Sequence, residues 1–445
     1  METTDPGPIK RATDAIRGSV TFKLLVMGFL VLVLAIPAGL VKDLINERQG
    51  RRAEAVEEIS QKWGAAQTIA GPVLTIPFLR HFTRQDGTRG QETAHAHFLP
   101  STLDVSGTLQ PQVRYRGIYQ AVLYEARLAV SARFARPDLA RLDIAETDVL
   151  WDRAFLSLGI SDMTGIREAI TFTSGETRLA ASPGTETQEV LASGVSARLP
   201  KALARGGPLA VDFALELNGS ERLRVVPVGE TTRVALSSSW QSPSFDGAFL
   251  PAEREVGAGG FTARWKVLHL NRNFPQAWVG ARERIADAGF GVRLFVGADV
   301  YQQSTRTAKY ALLFLVLTFT AFFFSEITNR RRLHPVQYLL VGFALLLFYT
   351  LLLALSEHLR FGVAYLASSA AVIGLVTLYA SWALASRRLA ALIGGLLAVL
   401  YGYLYLVLQL EDHALLLGSV GLFAVLASVM VATRRIDWYE AGKPG

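Results

Sequence analysis

Long apolar runs constrain this chain more than any other feature of its sequence. From residue 308 onward the residues are almost continuously apolar, and a separate apolar run occupies residues 22–41. A helix crosses the hydrocarbon core of a bilayer with about 20 apolar residues, because each residue advances it by about 1.5 Å. The sequence therefore predicts an integral membrane protein and argues against a purely soluble fold.

The apolar runs predict six membrane-spanning helices, one near the N-terminus and five in close succession. The predicted spans are residues 22–41, 308–327, 336–355, 361–384, 389–410 and 414–432. A cleaved signal peptide is the alternative for the first span. Its apolar run is longer than the roughly 7–15 residues of a signal-peptide core, which favours a retained helix.

Lysines and arginines in the short loops predict that both termini are cytoplasmic, because such residues concentrate on the cytoplasmic side of a membrane. They precede the first span and follow the second, fourth and sixth, which share one side if the helices alternate. These residues are Lys10, Arg11, Arg17, Arg330, Arg331, Arg332, Arg387, Arg388, Arg434 and Arg435. The basic residues between 42 and 52 argue the other way, but long domains are translocated largely regardless of charge.

The predicted organisation has five parts. A cytoplasmic segment (1–21) leads to the first span (22–41), and a domain outside the cytoplasm follows (42–307). A five-helix bundle (308–432) and a cytoplasmic tail (433–445) complete the chain. At about 265 residues, the central domain is large enough to bury a substantial core of its own.

Composition excludes several kinds of site. The 445 residues include no cysteine, which excludes disulfides, thiolate metal ligands and a cysteine nucleophile. The net charge is +7, but the basic residues do not form one patch, so no nucleic-acid partner is predicted.

The central domain is predicted to be β-rich and sandwich-like. Residues 44–63 predict a charged helix that continues the first span, and alternating apolar residues beyond it predict antiparallel strands. The clearest predicted strands are 73–78, 113–134, 211–217 and 261–267. Asn218 and Gly219 follow the third of these and predict a two-residue hairpin turn.

Conventional catalytic and metal-binding motifs are weak. His95 and His97 are two residues apart, so on a strand they face the same side. Without a third ligand, a half-exposed strand is favoured over a metal site. The glycines at 257–260 lack the helix and lysine of a phosphate loop, and the serines at 237–239 lack a nucleophile-elbow context. No cofactor or metal is predicted.

Ionisable residues near the membrane give two further hypotheses. Glu326 lies at the end of the second predicted span, and an i,i+4 ion pair with Arg330 is favoured over a proton or ion relay. Acidic residues and histidines at 357–358 and 411–413 share the opposite face. Cation binding there is the less favoured alternative.

Several motifs, in the expected order over nearly the whole chain, resemble the CreD family of bacterial inner-membrane proteins. The first runs from Trp63 to Gln67 and is followed by Gly71-Pro72; the second runs from Ser239 to Gly247. The third includes Trp265 and residues 269–276, and a fourth set extends from Tyr301 to Glu326. The motif residues singled out as recognition or structural candidates are Trp63, Gly64, Gln67, Trp240, Pro243, Phe245, His269, Asn271, Arg272, Asn273, Arg306, Lys309 and Glu326.

The resemblance implies a non-enzymatic protein that supports the integrity of the bacterial cell envelope. It also implies a link to a two-component regulatory system, to the β-lactam response and to tolerance of some colicins. It implies no catalytic residues. The leading hypothesis is that the β-rich domain binds an envelope protein, lipid or glycan; a transporter or lipid-handling protein and a membrane sensor are the alternatives.

The motif residues allow more than one role. Arg272, with Asn271 and Asn273, has the donors to recognise a carboxylate, a phosphate or a sugar, but capping of turns is the favoured alternative. A rigid loop around Trp240 is either exposed for a partner or packed on the sandwich. Arg306 and Lys309 are expected at the outer membrane interface, where they reach towards lipid phosphates.

Overall fold

The computed structural model describes residues 20–205, 207–294, 300–329, 333–410 and 414–434. Several predictions fall outside these residues: the cytoplasmic segment up to residue 19, the arginines at 330–332, the cluster at 411–413 and the tail from residue 435. The chain divides into two compact units. One comprises Met1–Arg51 with Ala298–Gly445, and the other comprises Arg52–Gly297.

A single long helix, α1 (Val20–Trp63), contains both the first predicted span (22–41) and the charged helix predicted to continue it (44–63). At about 1.5 Å per residue its 44 residues extend about 66 Å. Its first half is apolar, whereas its second half is rich in Glu and Arg. The remaining helices are α2 (Lys201–Arg205), α3 (Val300–Ala308), α4 (Ala311–Asn329), α5 (Pro335–Ser356), α6 (Phe361–Ala383), α7 (Arg387–Gln409) and α8 (Ala414–Thr433).

The first unit contains the helices able to cross a membrane. Within the described residues, α1, α5, α6 and α7 are long and apolar enough, and α3 with α4 forms a fifth candidate that is bent by 43°. Because of this bend, the helix of the second predicted span begins at Ala311 and not at residue 308. Helix α8 lies at the sixth predicted span. The count of six spans therefore stays a prediction.

The second unit is built from β-strands. The strands are β1 (Gln67–Thr83), β2 (Arg89–Phe98), β3 (Thr102–Arg116), β4 (Tyr119–Phe134), β5 (Phe155–Ile160), β6 (Thr171–Ser174), β7 (Thr177–Ala180), β8 (Ser182–Pro183), β9 (Gly194–Arg198), β10 (Leu209–Ser220), β11 (Arg222–Val225), β12 (Thr231–Ser238), β13 (Pro243–Gly247), β14 (Glu253–Gly257), β15 (Gly260–Leu268), β16 (Ala277–Val279) and β17 (Phe290–Leu294).

These strands form two sheets. The nine-stranded sheet has the order β13-β17-β11-β1-β5-β9-β8, and β2 pairs with both β1 and β16. The eight-stranded sheet has the order β14-β15-β12-β3-β4-β10-β6-β7. The pairs β1–β11 and β3–β12 are parallel, so the sheets are mixed and not purely antiparallel as expected.

One hydrophobic core draws residues from both sheets, which makes the unit a sandwich. Strand β10 shows why these residues form strands: Val211, Phe213, Leu215 and Leu217 alternate along it and are all buried, while the residues between them face outward. The same alternation operates in β15. The prediction of a β-rich domain beside apolar helices is confirmed.

The predicted hairpin turn at Asn218-Gly219 is wrong. Both residues lie inside β10, where Gly219 pairs with Tyr124 of β4. A Cβ atom on Gly219 would clash with the Tyr124 ring, so the glycine makes room for an aromatic side chain. The chain leaves the strand at Glu221, whose φ is 56°, and then enters β11 in the other sheet.

This arrangement predicts that Gly219→Ala destabilises the β unit, whereas Gly257→Ala does not. Overpacking a core contact costs about 1–3 kcal/mol, and a Cβ at Gly257 meets nothing within 4 Å. The measurement is denaturant unfolding of the full-length protein, followed by tryptophan fluorescence. Equal stability of the two variants would contradict this account of Gly219.

Candidate functional site

The first motif joins α1 to the β-sandwich through Gln67, which is fully buried. Its side-chain Nε2 donates to the carbonyls of Asp162 (2.9 Å) and Asn218 (3.1 Å), and its Oε1 accepts from the backbone N–H of Asp162 (3.3 Å). A buried amide whose donors and acceptor are all satisfied fixes the segments that it connects. Gln67 therefore holds β1 against the end of β10.

Trp63 and Gly64 form the turn that precedes β1. The Trp63 Nε1 donates to the carbonyl of Tyr124 (3.4 Å), and the Arg114 guanidinium lies 4.9 Å from the Trp63 ring centroid. Gly64 has φ 139°, and a Cβ there would lie 2.6 Å from the Asn218 carbonyl oxygen. Glycine is required at this position because the backbones approach so closely.

Asp162 completes this turn by accepting from the backbone N–H of Ala65 at 2.6 Å. Burial acts to raise the pKa of Asp162, but the hydrogen bonds from Ala65 and Thr164 outweigh it, so its pKa is lowered overall. The carboxylate thus stays ionised and serves as a fixed acceptor. The structure therefore places Trp63, Gly64 and Gln67 in a structural junction.

The second motif packs on the sandwich. Phe245 makes edge-to-face contacts with Phe261 (5.7 Å between centroids) and Trp265 (5.8 Å). Pro243 begins the edge strand β13, a position where a proline costs no ladder hydrogen bond. The Nε1 of Trp240 donates to the Ser242 carbonyl (3.1 Å), and the ring packs partly buried against the core.

Arg272 of the third motif bonds to carbonyl oxygens of its own domain. Its Nη1 donates to Phe274 O (2.6 Å) and its Nη2 to Val228 O (3.3 Å), while the guanidinium stacks 4.1 Å from the Phe274 ring centroid. Burial lowers the pKa of Arg272 to about 10. These contacts use guanidinium donors that a ligand would need. Recognition of a ligand by Arg272 stays a prediction.

The neighbours of Arg272 shape a short 3-10 turn at His269–Asn271. Asn271 Oδ1 accepts from the backbone N–H of Leu268 (3.0 Å), and the backbone N–H of His269 donates to Glu230 O (2.8 Å). Asn273 is exposed. The contact of Asn271 with the Leu268 backbone agrees with the turn-capping role that the sequence analysis favoured for this motif.

Arg306 and Lys309 belong to the other unit. Arg306 lies in α3 and is half-buried, whereas Lys309 is exposed at the break between α3 and α4. Because the helix is interrupted at this point, the ammonium group of Lys309 is exposed. Contact with lipid phosphates by either residue stays a prediction.

Glu326 binds partners on two other helices. It is 4% exposed, and its Oε1 accepts from Lys23 Nζ of α1 at 2.7 Å. Its Oε2 accepts from the hydroxyl of Tyr338 in α5 at 3.0 Å. The partner expected from sequence, Arg330, lies outside the described residues. We call Lys23, Glu326 and Tyr338 the first clamp, because they join α1, α4 and α5.

A second clamp of the same composition lies at the other end of the apolar half of α1. Glu357 accepts from the Tyr301 hydroxyl (3.1 Å) and pairs with Arg48 (3.9 Å). A basic side chain of α1 thus pairs with Glu357, one of the acidic residues for which cation binding was the less favoured alternative. Each clamp consists of a glutamate, a tyrosine and a basic residue from α1.

Between the clamps, α1 packs directly on α5. Leu34 is fully buried, and a Cβ on Gly342 would clash with its side chain. Sequence reasoning identified Glu326 and Glu357 but missed Lys23 and Tyr338 as partners of the first, and Tyr301 and Arg48 as partners of the second. The available signal was a basic residue near each end of the apolar half of α1; Lys23 was given no role, and Arg48 was considered only for membrane orientation.

His95 and His97 face the same side of β2, and the carboxylate of Glu189 bridges them. His95 Nδ1 lies 3.1 Å from Glu189 Oε1, and His97 Nε2 lies 2.9 Å from Glu189 Oε2. The two ring centroids are 6.4 Å apart. In the part of the chain that the structure describes, no three His, Asp or Glu side chains are arranged to hold a metal.

Thr75, His97 and Glu189 are connected in the order of a hydrolytic triad. The Thr75 hydroxyl lies 3.0 Å from His97 Nδ1. However, Thr75 is 1% exposed and His97 is 0% exposed, so a substrate has no access to the hydroxyl. The serines at 237–239 and the glycines at 257–260 form parts of strands and of the β14–β15 turn.

The outer face of the eight-stranded sheet carries a groove of about 900 Å³. Its floor is formed by the small outward-facing side chains Ser106, Ala129, Ala214 and Ala235. An adjoining groove of about 580 Å³ is lined by Thr108, Ser237, Thr262 and other residues. The sequence analysis did not predict this groove. It considered the apolar positions of each strand and not the small residues between them.

The walls of the larger groove carry acid–base pairs. Arg233 Nη1 lies 3.2 Å from Asp104 Oδ1, and Arg264 Nη1 lies 3.1 Å from Glu253 Oε2. Both pairs are largely exposed, so each contributes little to stability. They leave the walls polar but locally neutral.

Apolar helices joined to a two-sheet domain, without an accessible catalytic arrangement in the described residues, define a membrane protein with a β-sandwich domain. The chain belongs to the CreD family: the family described as "Inner membrane protein CreD" matches residues 19–439. The inner membrane protein CreD of Escherichia coli (strain K12) is 36% identical over 422 residues, which cover 93% of this chain and 92% of the relative. The family predicted from the motifs is confirmed, and with it a location in the bacterial inner membrane.

The first clamp predicts a specific pattern of stabilities. Glu326→Ala leaves Lys23 without its partner. We expect a loss of about 2–3 kcal/mol, less than for a fully buried pair because Lys23 keeps 27% exposure. The double variant Lys23→Met/Glu326→Ala should recover most of this loss, since no unpaired charge remains.

The matched control is Glu47→Ala, which breaks the exposed i,i+4 pair with Arg51 and should change stability by less than about 0.5 kcal/mol. Thermal unfolding of the full-length proteins in one detergent makes the comparison. A double variant no more stable than Glu326→Ala would show that the ion pair is not what holds α1.

Proposed function

We propose that this CreD-family protein supports the integrity of the cell envelope, including the response to β-lactams, without catalysing a reaction. In this proposal the β-sandwich lies outside the cytoplasm and binds an envelope component. The observation that carries the proposal is the groove of about 900 Å³ on the outer face of the eight-stranded sheet. The family description, which names a membrane protein and no activity, agrees with a non-enzymatic role.

The chemistry of the groove favours a glycan as the bound component. Small residues on the floor allow a sugar ring to approach the sheet closely. The paired Asp104 and Arg233 offer planar groups that exchange hydrogen bonds with hydroxyls. Because acid and base balance along the walls, the groove gives no net attraction to an anionic lipid headgroup.

Filling the groove tests this proposal. Ala214→Trp places a large ring on the floor, whereas Ala210→Trp puts the same ring on the same strand and face but beyond the groove. We expect Ala214→Trp to lower co-sedimentation of the full-length protein with purified peptidoglycan sacculi at least about tenfold, a loss of about 1.4 kcal/mol of binding. The same variant should fail to restore envelope resistance in cells lacking the protein.

Ala210→Trp should behave as wild type in both assays. Unfolding measurements on both variants separate loss of binding from loss of fold. Wild-type resistance with a folded Ala214→Trp protein would remove the groove from the function. Lost resistance with unchanged sedimentation would point to a protein or lipid in place of the glycan.

The proposal includes a topology of six spans with both termini in the cytoplasm. The two clamps support the first of these spans: Lys23 and Arg48 are about 38 Å apart along α1 at about 1.5 Å per residue. This distance fits a hydrocarbon core of about 30 Å with a polar group at each surface.

The absence of cysteine makes this topology directly testable, since every introduced cysteine is unique. Gln85→Cys lies in the exposed β1–β2 turn, and Lys443→Cys lies near the C-terminus. In intact spheroplasts, a membrane-impermeant maleimide should label Gln85→Cys and should label Lys443→Cys after lysis only. The reverse pattern would refute the predicted orientation.

A transporter or lipid-handling role is the second candidate, favoured by a cavity of about 440 Å³ beside Glu326. Its lining includes the apolar side chains of Val26 and Leu30 in α1 and the polar side chains of Lys23 and Tyr338. The double variant Lys23→Gln/Glu326→Gln keeps hydrogen-bonding groups in the first clamp but removes both charges. Intact envelope resistance in that variant would exclude a charge relay, whereas its loss from a folded protein would favour transport.

A further inference from the structure

The segment between β8 and β9, residues 184–193, is fastened to the nine-stranded sheet by a small set of contacts. We call it the Glu189 segment. Ser157 Oγ donates to the Thr185 carbonyl (3.1 Å), and Thr185 Oγ1 donates to the Leu191 carbonyl (3.0 Å). Leu191 covers Gly159 of β5, where a Cβ would lie 2.8 Å from the leucine Cδ2. The segment therefore covers part of the sheet near its β8 edge.

The strongest polar attachment of this segment is the contact between Glu189 and two histidines of β2. His97 is fully buried, while His95 keeps 24% exposure. An ionised Glu189 accepts from both rings, so His97 carries its proton on Nε2. Its Nδ1 then accepts from the Thr75 hydroxyl. Every polar atom of this cluster is satisfied while both imidazoles are neutral.

A second proton on His97 is unfavourable in this arrangement. It must bind at Nδ1, so the Thr75 hydroxyl has to turn and accept a hydrogen bond where it had donated one. The resulting imidazolium would be shut away from water, with the Trp278 ring centroid 5.5 Å from its own. Among the described residues, the titratable groups facing His97 are Glu189 on the segment and His95 on its own strand; the faces from β1 and β16 are uncharged.

The direction of the pH effect follows from these surroundings. Burial lowers the pKa of His97 below its ordinary value of 6.5, and this effect exceeds the opposing influence of Glu189. Burial acts to raise the pKa of Glu189, but the hydrogen bonds from His95 and His97 lower it overall. The closed state thus binds fewer protons than an open one below about pH 6.5, so its stability falls as the pH drops.

We propose that the Glu189 segment is an acid-released flap: His97 takes up a proton when the segment leaves the sheet and its ring reaches water, so acid favours the released state over the closed one. Release uncovers Leu191 and the apolar surface around Gly159 near the β8 edge. The flap does not depend on the glycan groove, which lies on the other sheet.

Hydrogen exchange measured by mass spectrometry on the full-length protein in nanodiscs tests the flap at pH 7.5 and 5.5, with rates corrected for intrinsic exchange. Protection of amides in residues 184–193 should fall roughly tenfold at the lower pH, because pH 5.5 lies one unit below the ordinary histidine pKa of 6.5. Amides of β3 and β4 should not change. Equal protection of the segment at both pH values would overturn the proposal.

His97→Gln keeps a donor towards Glu189 but cannot take up a proton, so its protection should be independent of pH. His81→Gln is the matched control and should retain the wild-type pH dependence, because His81 lies in an exposed pair with Asp148 at 3.2 Å, away from Glu189. A pH-dependent loss of protection that persists in His97→Gln would assign the effect to another group.

A second measurement does not require His97→Gln to fold. Leu191→Cys introduces a unique thiol that is shielded in the closed flap, and Gln85→Cys provides an exposed reference. The ratio of their maleimide labelling rates cancels the effect of pH on thiol reactivity. This ratio should rise roughly tenfold between pH 7.5 and 5.5, since pH 5.5 lies one unit below the ordinary histidine pKa of 6.5. A constant ratio would contradict the flap.

Discussion

The helical unit depends on how polar side chains are satisfied in an apolar setting. An unpaired carboxylate at Glu326 would be strongly unfavourable among apolar helices, so it must have Lys23 and Tyr338 as partners. The same requirement at Glu357 recruits Tyr301 and Arg48. Together with the packing of Leu34 on Gly342, these two clamps determine where α1 lies against its neighbours.

The parts of the structure that could be predicted from the sequence are those set by local patterns. The lengths of the apolar runs predicted helices at or near their observed positions. The alternation of apolar and polar residues predicted strands such as β10 and β15. Long-range partners were not accessible to such reasoning. Arg330 was the nearest base to Glu326 in sequence, but Lys23 is its described partner from a helix some 300 residues away. Asn218-Gly219 looked like a turn because the Tyr124 ring that needs the glycine comes from another strand.

The described contacts of the family motifs lie largely within the protein itself. Gln67 and Asn271 satisfy backbone groups, Gly64 allows two backbone segments to approach closely, and Phe245 packs on the core. The two surfaces with functional promise, the groove and the Glu189 segment, contain none of the candidates chosen from the motifs. A motif made of Trp, Gly and Pro is easily seen in a sequence, whereas a floor of Ala and Ser is not. We therefore propose the open face of the eight-stranded sheet as the place to test for function.

The central claim, that the groove binds an envelope glycan, is tested most directly by photo-crosslinking in living cells. A photoreactive side chain at Ala235 lies on the groove floor, and one at Ala210 lies on the same face beyond it. The account predicts adducts at Ala235 that are shortened by a glycan-cleaving enzyme, with little adduct at Ala210. Equal adducts at the two positions, or adducts at Ala235 that such an enzyme leaves unchanged, would contradict it.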